Sequence, residues 1–333
     1  MKLEIMGYDE TYEINLQQIT QVLGINIKKK QFIFTSLHKF FSGEKYSSYE
    51  AYMQDNIRLE GQKVGRKYFL SYSIQTREDL IKEIRLSKTS MMMQYLLTSY
   101  TGFDCRVEQE AIAEHLEKLY LYINKEIKNF TDNIEIGYDV KKMLEIISDS
   151  TIYSTDGMEI EQLTNYQLLE TYLDLLLQLQ MKEPKKVMII LENMDHLLDY
   201  LEYEQIYLKM REITEKFDCW FLISTSLHGY VIVDTENIEG IQIVNDDLFC
   251  LPSYEHIYAF LKKEYPVEYE WNEAEVIRGL KETMQYIGKK DWSIYLKGNV
   301  FLKLINQSLG MNLEIQSIVN SLEMAFLQDD NVI

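Results

Sequence analysis

Apolar and polar positions change period several times along this chain. Residues 1–24 alternate in short stretches (KLEIMGY, TYEINLQQI), which predicts an opening strand or hairpin and then a short helix ending at Gly24. Lys28-Lys29-Lys30 leads into Gln31-Phe32-Ile33-Phe34-Thr35, a compact run of β-favouring residues that predicts a buried strand. Residues 57–74 (IRLEGQKVGRKYFLSYSI) predict a hairpin turning near Gly61 or Gly65. From Thr76 the spacing becomes helical, with Leu80, Ile81, Ile84, Met91, Met92, Tyr95 and Leu96 on one face of a helix over 77–99. A second helix is expected over about 107–130, a short strand at 134–139, a helix at 140–148 and a leucine-rich helix at 164–181.

Strand signals return after Pro184. Val187–Leu191 and Cys219–Ser226 are apolar runs of strand length, separated by a helical stretch over about 199–216, and a shorter run follows at Ile241–Val244. Apolar strands alternating with helices argue for a parallel sheet with crossover helices. The expected class is therefore α/β. A head domain of residues 1–75 and 184–250 would carry a large inserted helical domain, 76–183, and a helical C-terminal extension, 251–333.

Composition narrows the setting. The chain has 333 residues, 46% apolar and 26% charged, in the range of a globular protein with room for two domains. Only 3 prolines interrupt it, which favours long helices. Its start, MKLEIMGYDE, lacks the charged-then-apolar pattern of a secretory signal, and no apolar run approaches membrane length. Cys105, Cys219 and Cys250 are scattered, without C-x-x-C spacing, so free thiols in a reducing cytoplasm are expected.

Net charge is −19, unfavourable for a polyanion ligand, but its distribution is uneven. Residues 26–90 hold 13 Lys+Arg against 7 Asp+Glu, a local +6 on an otherwise acidic chain. Three basic sets stand out: Lys28, Lys29 and Lys30; Lys63, Arg66 and Lys67; Lys185 and Lys186. Each flanks an expected strand of one sheet, so the three could share a face and contact phosphates without regard to sequence. Solvated strand ends would have the same pattern.

Val187–Asn193 (VMIILEN) resembles the acidic strand of nucleotide-hydrolysing α/β folds, where a terminal carboxylate holds a metal ion beside the phosphates. Glu192 and Asp195 are thus candidate ligands for a hard cation, Ca²⁺ or Mg²⁺, and Asp246-Asp247 is a weaker pair. Ser224-Thr225-Ser226 resembles a polar strand tip that senses a terminal phosphate. The G-x-x-x-x-G-K-[ST] loop such chemistry needs is absent: Lys88-Thr89 has no preceding glycine, and Thr35-Ser36-Leu37-His38 occupies the place expected for the loop. His38, His196 and His228 follow expected strand ends and could converge on a metal ion, or simply be solvated.

Four segments carry a family resemblance: TGFDCRVEQEAIAEHLEKLYLYINKEI, IEIGYDVKKMLEII, KKVMIILENMDHLLDYLEYEQIYLKMREI and IQIVNDDLF. Their order and character resemble the Csn2 family of CRISPR subtype II-A adaptation proteins, in its long form. The resemblance implies a degenerate phosphate-loop-NTPase-like head, a helical leg and no catalysis. It also implies a homotetrameric ring that binds double-stranded DNA ends through a lysine-lined hole, binds Ca²⁺ but no nucleotide, and acts in spacer acquisition beside the CRISPR integrase and effector nuclease. A divergent NTPase, a metal-dependent nuclease and an acidic protein-interaction scaffold are the alternatives.

Overall fold

The structure is a computed structural model, and it describes residues 1–100, 103–137, 147–148, 150–225, 230–267, 270–289 and 294–311. The chain divides into two compact units, Met1–Gln75 with Lys185–Ile333, and Thr76–Pro184.

The first unit contains two sheets. Strands β1 (Lys2–Met6) and β2 (Thr11–Asn15) form an antiparallel hairpin, with β4 (Ile57–Leu59) on the other side of β1 and β5 (Gln62–Lys63) outside it. Leu3, Ile5, Tyr12 and Ile14 alternate inward on β1 and β2, the period-2 pattern that the sequence displays. The larger sheet has the order β10-β9-β3-β8-β7-β6. It comprises β3 (Ile19–Leu23), β6 (Leu70–Ile74), β7 (Val187–Leu191), β8 (Cys219–Ser224), β9 (Ile241–Val244) and β10 (Leu248–Cys250). All its pairings are parallel except β9 with β10.

Two sequence expectations fail near the N-terminus. Residues 19–23 form the central strand β3, not a short helix; every side chain is buried, including Gln21, whose amide is satisfied by Tyr203 and the Ile232 backbone. Residues 31–35 lie inside helix α1 (Ile27–Ser42), not in a strand. The Asn26 side chain caps that helix by accepting from Lys29 N, and Lys30, Ile33, Phe34, Leu37, Phe40 and Phe41 form its buried stripe. The stripe packs with β1, β2, β4 and the faces of β7 and β8 into one core cluster. Residues 57–74 also divide: β4 and β5 turn at Glu60-Gly61 in the small sheet, whereas β6 pairs with β7 in the large one.

Two short helical segments follow the strands: α6 (Met194–Leu197), directly after β7, and α7 (Tyr200–Lys216), whose Asp199 cap feeds a crossover into β8. After β10, helices α8 (Tyr254–Glu264), α9 (Glu273–Thr283) and α10 (Leu296–Ser308) pack with β9 in a second core built on Ile243, Ile257, Leu280 and Phe301. Residues 312–333 lie outside the described part. Cys219 is a buried free thiol, pushed up to about 12 by burial, and Cys250 is also free. The side chain of Cys105 is outside the described set.

The second unit is mostly helical: α2 (Arg77–Ile84), α3 (Met91–Tyr100), α4 (Phe103–Ile127) and α5 (Asn165–Lys182). The single helix expected over 77–99 is broken in two. Ser90 accepts from Met93 N through its hydroxyl and starts α3 anew. Residues 134–137 form no strand; both backbone groups of Ile136 bond the Asn124 side chain on α4. The rest of the expected 134–139 strand and most of the 140–148 helix lie outside the described residues. Helix α4 exposes Ile112, Leu119, Leu121, Tyr122 and Ile123. Spacings of i, i+7 and i+11 put Ile112, Leu119 and Ile123 on one stripe.

Candidate functional site

The strand ends of the large sheet carry the candidate chemistry. At the carboxyl end, β3 passes through Gly24, Ile25 and Asn26 into α1. Gly24 has φ +97°, and a Cβ there would stand 2.2 Å from Val244 O, so glycine is required on both grounds. Gly24 and Lys30 are separated by the same interval as the first glycine and the lysine of G-x-x-x-x-G-K-[ST]. Lys29 stands in place of the second glycine, and Gln31 in place of Ser/Thr.

The backbone donors of this loop are already taken. Ile25 N donates to Asn245 Oδ1 at 3.0 Å, Asn26 N to Val244 O at 3.1 Å and Lys29 N to Asn26 Oδ1 at 3.1 Å. The Asn26 amide closes the bond set by donating to Asn245 O at 3.1 Å. The helix starts at Ile27, three residues before Lys30. Phosphate-binding loops use such N–H groups to cradle the anion; here the tail of β9 holds two of them and the Asn26 side chain the third.

The three lysines after this loop have three fates. Lys28 is exposed. Lys29 Nζ donates to Glu10 Oε2 and to Asp246 O, both at 2.7 Å. Lys30 is only 6% exposed and donates to Thr225 O, just past the tip of β8, at 2.7 Å. Burial lowers its pKa, opposed by the nearby Asp195 charge. Lys30 thus fails the expectation of a phosphate contact, because helical phase turns it inward with Ile33 and Phe34.

The second and third basic sets lie elsewhere. Lys63 is exposed on the small sheet, 3.9 Å from Asp55. Arg66 rests over the Tyr46 ring, and Lys67 is exposed in the loop before β6. Lys185 is exposed, whereas Lys186 is wrapped by Tyr68, Phe69 and Trp220, with its Nζ 4.3, 5.1 and 5.5 Å from their ring centres. Lys186 also donates to Tyr68 OH at 2.9 Å and faces Asp218 at 3.9 Å. Because β3 and β7 run in the same direction, Lys28–Lys30 sit at the carboxyl end of the sheet and Lys185–Lys186 at the amino end, about 15 Å away along the strands. The three sets do not share one strand-end face.

The acidic candidates do not assemble a metal site. Glu192 accepts from Gln75 Nε2 at 2.6 Å at the end of β7. The Asp195 side chain is fully buried on α6, 3.8 Å from His196 Nε2. Among the described residues, no group of three or more His, Cys, Asp or Glu is placed to hold a metal ion. Asp246 and Asp247 lie in the β9–β10 turn, where their backbone carbonyls accept from Lys29 and Asn245. His38 lies within α1 beside Glu44 rather than past a strand, and His228 lies outside the described residues.

The family model described as CRISPR-associated protein Csn2 subfamily St matches residues 5–327. The chain belongs to this Csn2 family. Its fold is similar to the crystal structure of Stu0660 of Streptococcus thermophilus, with a TM-score of 0.89 at 23% identity over 98% of this chain and 100% of that one. Weaker similarity extends to the SmcHead bound to the C-winged helix domain of ScpA (TM-score 0.44, 14% identity, 78% of this chain and 98% of that one). The Smc head domain with an extended coiled coil bound to the ScpA C-terminal domain, from Pyrococcus furiosus, scores 0.42 at 13% identity over 79% and 98%. No curated protein sequence matches the chain. Among the described residues, no helix is long and apolar enough to cross a membrane.

Sequence reasoning missed the site's main feature, the inward Lys30. The available signal was the interval from Gly24, at the end of an apolar strand, to Lys30. A search requiring both glycines passes over it.

Proposed function

We propose that this Csn2-family chain is a non-catalytic protein of CRISPR spacer acquisition that binds double-stranded DNA without sequence preference. In this reading it works in the cytoplasm as a homotetrameric ring loaded from free DNA ends, beside the integrase and the effector nuclease. Family membership over residues 5–327 supports the setting. Exposed Lys28, Lys63, Lys67 and Lys185 are the proposed phosphate contacts. The apolar stripe on α4 supports self-association, since exposed leucine and isoleucine in register favour a partner helix.

The head is a degenerate phosphate-loop-NTPase-like domain in this proposal. Strand β8 lies between β3, which feeds the loop, and β7, which Glu192 follows. The observation that carries the non-catalytic reading is the set of loop N–H groups already bonded to Asn245, Val244 and Asn26, which leaves no cradle for a triphosphate. Calcium, implied by the family, does not fit Glu192 and Asp195 as a pair. One bonds Gln75, and the other is sealed beside Lys30 and His196. No step is assigned to the ion.

Gel-shift titration of matched linear and closed circular duplexes, at two salt concentrations and with calcium or a chelator, tests the function. Salt-sensitive retention of linear DNA alone is the expected result. Equal retention of both forms removes end loading, and retention of neither favours the acidic scaffold.

A further inference from the structure

A lysine buried beneath the start of a helix needs a reason, because burial disfavours its charged form. Lys30 has a bonded carbonyl and a buried carboxylate's charge that supply one. Its amine meets the Thr225 carbonyl at 2.7 Å, where β8 has ended and that oxygen has left the β-ladder. The Thr225 hydroxyl in turn donates to Tyr230 O at 3.0 Å, which holds the chain beyond the strand. Asp195 brings a fully buried carboxylate from α6. In active phosphate-loop folds, a lysine at this interval after the strand neutralises bound phosphate. Here the same position reaches across to the neighbouring strand tip.

We propose that the Lys30 amine is a tethered cation that replaces a bound ligand: it fastens the start of α1 to the tip of β8 and closes the carboxyl end of the sheet from within. This goes beyond the absence of nucleotide. It assigns Lys30 a positioning role, with Lys28 left exposed two residues away to meet solvent or DNA.

The first test uses the unaltered full-length protein. Brief treatment with an amine-acylating reagent, read by fragment mass, should modify Lys28 and Lys67 readily and Lys30 at least about tenfold more slowly, because Lys30 reacts only through opening. Equal rates at Lys28 and Lys30 overturn the proposal. The second test is chemical rescue. Lys30→Ala should lower Tm by roughly 10 °C, as expected when a buried, hydrogen-bonded charge beside a buried carboxylate is removed. Methylammonium or propylammonium ions should then raise the Tm of the variant and leave the wild type unmoved, a result that a merely space-filling side chain would not give. A variant as stable as the wild type, or one indifferent to added amine, overturns the proposal. Should the variant not fold, the acylation result decides alone.

Discussion

The two ends of the large sheet each carry a run of consecutive lysines, and they divide those runs by different rules. At the carboxyl end the run opens a helix. The 100° step of α1 sends Lys28 outward and Lys30 inward, onto the stripe of Ile33, Phe34 and Leu37. At the amino end the run precedes a strand, and alternation leaves Lys185 exposed while Lys186 lies over Tyr68, Phe69 and Trp220. One inward lysine is held by a carbonyl within reach of a buried carboxylate's charge, the other by aromatic faces and a half-exposed Asp218. A lysine run in a sequence therefore counts charge without locating it. The period of the element it enters decides how much reaches the surface.

That contrast can be broken from either end. The largest effect is expected from Asp195→Ala, which removes the buried carboxylate whose charge favours the Lys30 ammonium. Such losses cost about 3–5 kcal/mol, to be read by urea denaturation. A loss under about 0.5 kcal/mol would place the two inward lysines in the same weak class. At the amino end, Lys186→Met should cost about 1 kcal/mol or less by the same measurement, since cation–π contacts at part-exposed sites are modest and methionine keeps the packing. Smallest in stability, and largest in binding, is Lys28→Gln. Its folding free energy should stay within about 0.5 kcal/mol of wild type, while the slope of log binding constant against log salt flattens by about 0.9. Lys30→Met, by contrast, should leave that slope unchanged, because its amine touches no phosphate.

Much of the fold was legible where apolar runs were long or flanked by clear signals. Val187–Leu191 is a strand as read, the run Cys219–Ser226 holds a strand over Cys219–Ser224, and the leucine-rich helix lies within a residue or two of its expected bounds. The failures cluster at residues 19–35. Phe32-Ile33-Phe34 satisfies a strand pattern locally, and only the longer spacing out to Leu37, Phe40 and Phe41, with Asn26 as cap, reveals a helix. The mixed polar run Ile19–Leu23 does not look like a central strand, because Gln21 owes its burial to partners some 180 and 210 residues later, Tyr203 and Ile232. The same long-range dependence hid the candidate site. Nothing near Lys30 in sequence announces Thr225 or Asp195, and the missing second glycine removed the one local cue.

A fold that seats a free ligand at its strand ends has a stability tied to that ligand's concentration, gaining RT ln(1 + [L]/Kd) and losing it on dilution. A side chain anchored in the same polypeptide cannot be diluted, competed away or hydrolysed. If Lys30 closes the head as proposed, the head should keep one shape whether nucleoside triphosphates are abundant or scarce.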